Sequence, residues 1–208
     1  MALMNSPSFA HPHPELYGHG LCLRSWDPAS DAHAEAWLRG MSDPEFRRWN
    51  TPLIPVTDLD AARASLRAKD DNAATGAGAS FRITDAETGT TLGHVGVNEI
   101  DHTFRVARVG YWILPEARGR RAATRALAVA ADWAFTDLGL HRLELGHAVG
   151  HDASCRIAEH CGFPYEGTLR GAMWESDSQD AFRDVHLHAR LATDPEPDPR
   201  ATAVVTGP

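Results

Sequence analysis

Residues 108–137, RVGYWILPEARGRRAATRALAVAADWAFTD, join a short apolar run to an alanine-rich segment through a basic turn. Val109–Leu114 is rich in β-branched and aromatic residues, and this pattern predicts a buried strand that ends at Pro115. After the turn, apolar residues recur every three or four positions. This spacing predicts a helix with one apolar face, formed by Ala123, Leu127, Ala130, Ala134 and Leu138.

The basic turn between this strand and helix is Arg118-Gly119-Arg120-Arg121. The first N–H groups of a helix have no partner within the helix, and the helix dipole adds partial positive charge at the same end. Arginine side chains can also bond phosphate oxygens directly. We therefore predict that the turn and the start of the helix bind the phosphates of a cofactor.

The composition is that of a globular protein. The chain has 208 residues, of which 43% are hydrophobic and 23% charged, enough for one domain with a full core. A formal net charge of −8 and a pI near 5.8 argue against a general nucleic-acid binder. The basic turn is therefore a local feature that suits a small anionic ligand, while the acidic surface tolerates a cationic substrate such as an amine.

The cysteine pattern gives no sign of a disulfide framework or a metal site. Cys22, Cys155 and Cys161 are an odd, sparse set without a C-x-x-C motif, and a His11–His13 pair in a proline-rich arm is a poor ligand set. No signal segment opens the chain, and no apolar run approaches membrane length. We expect a cytoplasmic protein with no metal, no membrane partner and no nucleic-acid partner.

The remaining periodicity predicts one domain over residues 19–192, between a flexible arm at 1–18 and a disordered tail at 193–208. The expected order is a strand, helices, three strands, the central helix, a strand, a short helix and two strands. Residues 72–79 are expected to form a turn or loop. A strand–helix–strand step across 105–147 implies one parallel crossover, so the predicted fold class is α+β with a mixed sheet.

Two more segments follow the central helix, SCRIAEHCGF at 154–163 and EGTLR at 166–170. Together with GYWIL at 110–114 and RGRRAA at 118–123, they resemble in order the motifs of the GCN5-related N-acetyltransferase (GNAT) superfamily. The resemblance is to its RimJ/RimL-type group of ribosomal-protein alanine acetyltransferases and covers about 19–192. It implies a mixed, mostly antiparallel sheet that is splayed at its central strand and flanked by helices.

The resemblance also implies acetyl-coenzyme A as donor, a primary amine as acceptor, and direct transfer in a ternary complex. The cofactor pyrophosphate is expected on the amides of Gly119–Thr124, and pantetheine along the edge of strand 109–114. The cofactor-binding residues implied in this way are Ile113, Leu114, Arg118, Gly119, Arg120, Arg121, Ala122, Ala123, Thr124, His151 and Ser154.

Two residues depart from the family pattern. Arg121 stands where the family has glycine, and it is compatible with the motif if its φ is ordinary, as expected in the first turn of a helix. Its side chain can then add a phosphate contact. His151 replaces a frequent asparagine; it can hydrogen-bond pantetheine, and we expect it to titrate near neutral pH.

Acetylation of an amine needs a group that accepts the amine proton and a group that reaches the thioester sulfur. The resemblance makes Ser154 the expected contact to sulfur. Many relatives carry a glutamate where this chain has Arg108, so the base is sought elsewhere. Glu99 is the first choice, Asp101 and Glu166 are the other carboxylates, and a chain of water molecules is the default alternative.

Several further residues have plain structural interpretations. Tyr111 and Trp112 are expected to be core residues rather than cleft residues, and His141 and His147 to be structural or exposed. Nothing around Cys155 indicates a lowered pKa, so we expect no acyl-cysteine intermediate. Core packing is also expected for most aromatic residues of the N-terminal region, which are Trp26, Trp37, Phe46 and Trp49.

The main hypothesis is an acetyl-coenzyme A-dependent N-acetyltransferase that acts on the N-terminal α-amine of a protein or peptide. The alternatives are acetylation of a small-molecule amine, such as an antibiotic or biosynthetic intermediate, and a non-catalytic acyl-coenzyme A-binding domain. A dinucleotide-binding oxidoreductase is excluded by the element order and the missing G-x-G-x-x-G motif. The oligomeric state stays open, with a homodimer among its alternatives.

Overall fold

The computed structural model describes residues 14–51, 54–175 and 180–197. Its eight strands are β1 Leu16–Gly18, β2 Leu21–Ser25, β3 Ala79–Asp85, β4 Thr91–Asp101, β5 Val106–Ile113, β6 Arg142–Ala148, β7 Tyr165–Trp174 and β8 Phe182–Leu191. Its α-helices are α1 Asp31–Ser42, α2 Pro44–Trp49, α3 Leu59–Ala74, α4 Ala122–Thr136 and α5 Asp152–His160, and a 3₁₀ turn covers Pro115–Ala117.

All eight strands belong to one mixed sheet, in the order β1-β2-β3-β4-β5-β6-β8-β7. Every neighbouring pair is antiparallel except β5 and β6, which are joined by the crossover through α4. The sheet confirms the predicted α+β class and the single parallel crossover. None of the helices among the described residues is both long enough and apolar enough to span a bilayer.

The sheet splays between β5 and β6. These strands pair only over Val106–Arg108 and Arg142–Glu144, whereas the rest of β6 continues to pair with β8. The remaining part of β5 therefore presents a backbone edge to a gap in the sheet. The gap confirms the predicted splay and determines where a ligand can approach the backbone.

Two apolar cores pack against the sheet. The larger one lies under α4, whose alanines let the helix sit close to strand residues such as Phe81 and Val95. The other core involves α1 and α3 and contains an aromatic cluster in which Trp26 lies 5.1 Å from Trp37 and 6.0 Å from Trp112 between ring centroids. All three tryptophans are buried as expected, but Trp112 also lines the cavity described below.

Helices α1, α2 and α3 each begin after a polar N-cap residue. Ser30 caps α1, Asp43 caps α2, and Asp58 caps α3 by accepting the N–H of Ala61 at 2.8 Å. The α3 helix continues to Ala74, so the loop expected over 72–79 is too long. The helix ends with Ala73 and Ala74, and alanine favours helix, which the glycine-based prediction underestimated.

The predicted domain boundaries also need correction at both ends. Leu16–Gly18, part of the expected flexible arm, is a strand because it pairs with Leu21–Leu23. At the other end, Leu191 donates its N–H to Asp194 at 2.8 Å, which orders the first residues of the expected tail. Residues 1–13, with His11 and His13, and residues 198–208 lie outside the described residues.

Candidate active site

A cavity of about 430 Å³ lies at the gap in the sheet. Its walls come from the end of β5, the basic turn, the first turns of α4 and α5, and helix α2. All the predicted cofactor-binding residues line it except Leu114 and Arg120. Residues that are far apart in sequence, such as Ile113 and Ser154, are therefore brought together as the family motifs implied.

The edge of β5 offers backbone groups to the cavity through Ile113 but not through Leu114. The Leu114 N–H donates to the carbonyl of Leu92 on β4 at 2.9 Å, and the Leu114 side chain is buried. Since backbone groups alternate in direction along a strand, the N–H of Ile113 faces the gap instead. The expectation for Leu114 is wrong because β4 already uses its N–H.

The backbone of the basic turn has two residues with positive φ, Gly119 at 77° and Arg121 at 54°. Arg121 is the N-cap of α4 and makes no capping bond with its side chain. Its left-handed conformation contradicts the expected ordinary φ and explains why glycine suits this position. The first residues of α4, Ala122–Thr124, line the cavity, and the unpaired N–H groups of a helix N-terminus suit an anion there.

The Arg118 side chain binds the protein itself. Its guanidinium forms an ion pair with Asp43 and donates from Nε to the Ile113 carbonyl at 3.2 Å. Asp43 is buried and also accepts the N–H of Phe46 at 2.9 Å as the cap of α2. Arg118 therefore ties α2 to the basic turn, so its role is to position the cavity wall rather than to reach outward for phosphate.

A second arginine, which sequence reasoning missed, stabilises the backbone of the same turn. Arg125 is buried on α4, and its guanidinium donates to the carbonyls of His19 at 2.8 Å and Arg120 at 3.3 Å. A charged residue inside an alanine-rich helix face was the signal available in the sequence. Its contacts fix the backbone that carries the positive φ angles.

Ser154 is paired with a tyrosine. The Tyr111 hydroxyl donates to Ser154 Oγ at 3.2 Å, and Ser154 is 5% exposed. Burial raises the pKa of Tyr111, so the phenol stays protonated at neutral pH. Because Ser154 is the acceptor of this hydrogen bond, its own O–H can be donated into the cavity. Tyr111 packs against the larger core as predicted, but it also lines the cavity, which the core assignment missed.

His151 is the N-cap residue of α5, and its ring stacks on that of Trp49, with ring centroids 4.6 Å apart and an angle of 4° between the ring planes. Burial, and to a smaller extent the neighbouring His147, lowers the pKa of His151 to about 4. The expectation that it titrates near neutral pH is therefore wrong. At neutral pH the cavity contains a neutral imidazole at this position.

The carboxylates named as candidate bases lie outside this cavity. Glu99 is exposed, sits at a β-bulge with φ 51°, and pairs with Arg108 at 2.9 Å. Asp101 accepts two turn N–H groups, and Glu166 pairs with Arg142 at 2.6 Å. The structure does not bring any of the three together with Ser154.

The carboxylate that does line the cavity is Glu45, on the first turn of α2. Its Oε1 accepts the indole N–H of Trp49 at 2.8 Å, which orients both side chains across one turn of the helix. Phe46 and Asn50 complete this part of the wall. Glu45 was not among the carboxylates considered from the sequence.

Cys155 lies next to Ser154 in sequence but is not among the residues that line the cavity. Burial raises the pKa of its thiol, which agrees with the expectation that it is not an acyl-accepting nucleophile.

Comparisons with known proteins agree with this geometry. A family model described as an acetyltransferase (GNAT) domain matches residues 21–164. An uncharacterized N-acetyltransferase p20 of Bacillus licheniformis is 30% identical over 156 residues, covering 74% of this chain and 85% of that protein. A spermidine N(1)-acetyltransferase of Vibrio cholerae is 35% identical over 89 residues, which is 43% of this chain and 51% of that relative.

A solved structure of RimL, described as a ribosomal L7/L12 alpha-N-protein acetyltransferase in complex with coenzyme A, has the same fold. It superposes with a TM-score of 0.76 at 18% identity and covers 86% of this chain and 98% of that one. Taken with the family match, these findings show that the protein is an N-acetyltransferase. The chain belongs to the GNAT acetyltransferase family.

Proposed function

We propose that the protein transfers an acetyl group from acetyl-coenzyme A to the N-terminal α-amine of a peptide or protein. The observation that carries the proposal is the cavity in which the α4 N-terminus, the open edge of β5 and the Tyr111–Ser154 pair meet. The three features supply, in one place, an anion site, backbone hydrogen-bonding groups and a hydroxyl donor.

The cofactor fits the residues present. The N–H groups of Ala122, Ala123 and Thr124 suit the pyrophosphate, with the exposed Arg120 and Arg121 adding positive charge. The edge of β5 suits the amide groups of pantetheine through the Ile113 backbone. Neutral His151 is available as a further hydrogen-bonding partner.

The chemistry forms one C–N bond and breaks one C–S bond. The uncharged amine attacks the thioester carbonyl, and the coenzyme A thiolate leaves. Ser154, oriented by Tyr111, donates a hydrogen bond to the developing negative charge, which is the part of catalysis that the cavity is built to supply. The amine proton passes to water or to Glu45.

The cavity has few groups that can accept a proton from the substrate amine, and this favours an α-amine as acceptor. With a pKa of about 7.7–8.0, roughly a third of α-amines are neutral at pH 7.5, whereas for a lysine-like amine with pKa about 10.4 the neutral fraction is about 0.1%. A cavity whose described lining residues include one carboxylate, Glu45, therefore suits an acceptor that needs little deprotonation.

Charge supports the same choice over a polyamine, the class named for the Vibrio cholerae relative. The charged lining residues besides Glu45 are the arginines Arg118, Arg121 and Arg156. A single carboxylate matches a single ammonium group, whereas a polyamine brings several positive charges toward a wall that is mainly basic.

The test is thiol release from acetyl-coenzyme A with peptides that differ in their first residue. We expect turnover with free α-amines and none with an Nα-blocked peptide that keeps a lysine. Turnover with spermidine or an aminoglycoside but no peptide would assign a small-molecule acceptor instead. Coenzyme A binding by calorimetry without any turnover would indicate a binding domain.

A further inference from the structure

Three side chains that can bind a metal ion, one each from α5, β6 and β8, meet in one cluster. His147 on β6 and His186 on β8 are directly opposite in the antiparallel register, so their side chains lie on the same face of the sheet. Cys155 on α5 packs over them. Its Sγ lies 3.3 Å from His147 Nε2 and 3.5 Å from His186 Nδ1, and the three atoms are all within 4.8 Å of one another.

We propose that His147, Cys155 and His186 bind a divalent transition metal ion of the zinc class. Imidazole and thiolate are the ligands that zinc prefers in proteins. Tetrahedral zinc, with bonds of about 2.0–2.1 Å to nitrogen and 2.3 Å to sulfur, places neighbouring ligand atoms about 3.4–3.6 Å apart. The two sulfur–nitrogen distances, 3.3 and 3.5 Å, are close to this range, so a movement of the half-buried His186 ring completes the set.

The surroundings orient His147 as a ligand. Its Nδ1 lies 3.0 Å from the Ala148 carbonyl, and a proton on Nδ1 makes that hydrogen bond and leaves the lone pair of Nε2 facing Cys155. The His188 ring stacks on His147 at 5.3 Å, and Tyr165 packs edge-on against His186 at 5.0 Å. Aromatic rings thus pack against both imidazoles.

A hydrogen-bonded thiol accounts for this cluster less fully than a metal ion does. A thiol has one proton and can donate it to one of the two nitrogens at a time, whereas an ion is bound by all three side chains at once. On binding, the ion replaces the thiol proton, which is released to solvent. His147 is 5% exposed, and the partly exposed Cys155 and His186 give the ion an entry path.

The site would connect α5 to β6 and β8. Helix α5 presents Ser154 to the cavity, and the adjacent Cys155 points to the other side. A bound ion therefore stabilises the folded state without occupying the catalytic cavity.

The first test is titration of tag-free, full-length protein with cobalt(II) as a spectroscopic substitute for zinc. We expect one ion per chain, with a thiolate-to-cobalt charge-transfer band and the visible bands of a tetrahedral ion. Cys155→Ser should lose the charge-transfer band, and His186→Gln should weaken binding about tenfold or more. The matched controls are His141→Gln, an exposed histidine just before the same strand, and a His11→Gln/His13→Gln variant, both of which should bind as the unaltered protein does.

The second test needs no substitution in the site. Cys22 and Cys161 are buried, so iodoacetamide should label Cys155 first in the folded protein. Zinc at about 100 times its Kd should slow that labelling about a hundredfold, as followed by mass spectrometry. Equal labelling rates with and without zinc, or a cobalt–thiolate band that persists in Cys155→Ser, would overturn the proposal.

Discussion

Two cavities lie along strand β5, and their linings differ in chemistry. The one at the end of the strand, of about 430 Å³, is lined by a helix N-terminus, the Ser154 hydroxyl and the Tyr111 phenol. The other, of about 400 Å³, is lined near the start of the strand by charged and amide side chains that include Lys69, Glu99 and Arg108. The first offers hydrogen-bond donors to a developing negative charge, whereas in the second the Glu99 carboxylate is paired with Arg108 and Lys69 donates to Asn98.

For the proposed function, this difference favours catalysis by hydrogen-bond donors over catalysis by a strong base. Glu99, in the second cavity, is held by Arg108, and Ser154, in the first, is free to donate into it. The strand connects the two cavities but does not bring their functional groups together. Substitutions in the two cavities should therefore have very different effects on turnover.

The largest expected effect is that of Ser154→Ala. Removal of one preorganised donor typically lowers kcat by about 10²–10³-fold, so we expect a loss of that size with little change in coenzyme A affinity. Tyr111→Phe should have a smaller effect in the same direction, because it only loosens the orientation of Ser154. Steady-state kinetics of thiol release and calorimetry with coenzyme A measure the two quantities.

Glu99→Gln is the matched variant in the second cavity. Since its ion pair is solvent-exposed, we expect kcat within about twofold of the unaltered protein and a stability change of less than about 1 kcal/mol. A hundredfold loss of kcat in Glu99→Gln would restore Glu99 as the base and remove the distinction between the cavities.

The next effect concerns the wall between α2 and the basic turn. Arg118→Ala leaves the buried carboxylate of Asp43 without its cation, and we expect a loss of about 1–2 kcal/mol in the free energy of unfolding and a higher KM for the acceptor. Arg39→Ala, which breaks an ion pair with Glu116 whose side chains are both more than half exposed, should cost about 0–1 kcal/mol. Urea unfolding compares them; equal losses would mean that Arg118 does not hold the wall.

A smaller effect is expected from pH. The folded-state pKa of His151 is about 4, below its unfolded value of about 6.5, so the unfolded chain binds more protons between these values. The stabilising contribution is present above pH 6.5 and is lost as the pH falls toward 4, with a slope below the limit of about 1.4 kcal/mol per pH unit. His151→Asn should flatten this part of the pH–stability curve; an unchanged slope would place the titration elsewhere.

The sequence predicted what depends on local pattern and order. The strand–turn–helix unit at 109–136, the parallel crossover and the motif serine were all accessible, because periodicity and spacing are properties of neighbouring residues. The Arg118–Asp43 pair, the Tyr111–Ser154 bond and Glu45 in the wall were not. Each depends on how distant segments meet, which no local pattern encodes.

In the basic turn, the backbone conformation of a single residue, Arg121, could not be predicted from the sequence either. A left-handed N-cap was not expected at Arg121, because arginine normally avoids positive φ. Gly119, two residues earlier, has a similar φ of 77° and the residue type that suits it. The turn thus contains one relaxed and one strained position of similar backbone conformation.

The smallest expected effect tests that contrast directly. Arg121→Gly should raise the free energy of unfolding by about 1 kcal/mol, because it removes the cost of a left-handed conformation at a residue with a Cβ. Gly119→Ala should lower it by about 1 kcal/mol through strain alone, since a Cβ at that position meets no atom within 4 Å. If Arg121 also contacts the cofactor phosphates, Arg121→Gly should weaken coenzyme A binding while it stabilises the fold. A destabilised Arg121→Gly protein would mean that the arginine side chain contributes more to the folded state than its backbone conformation costs.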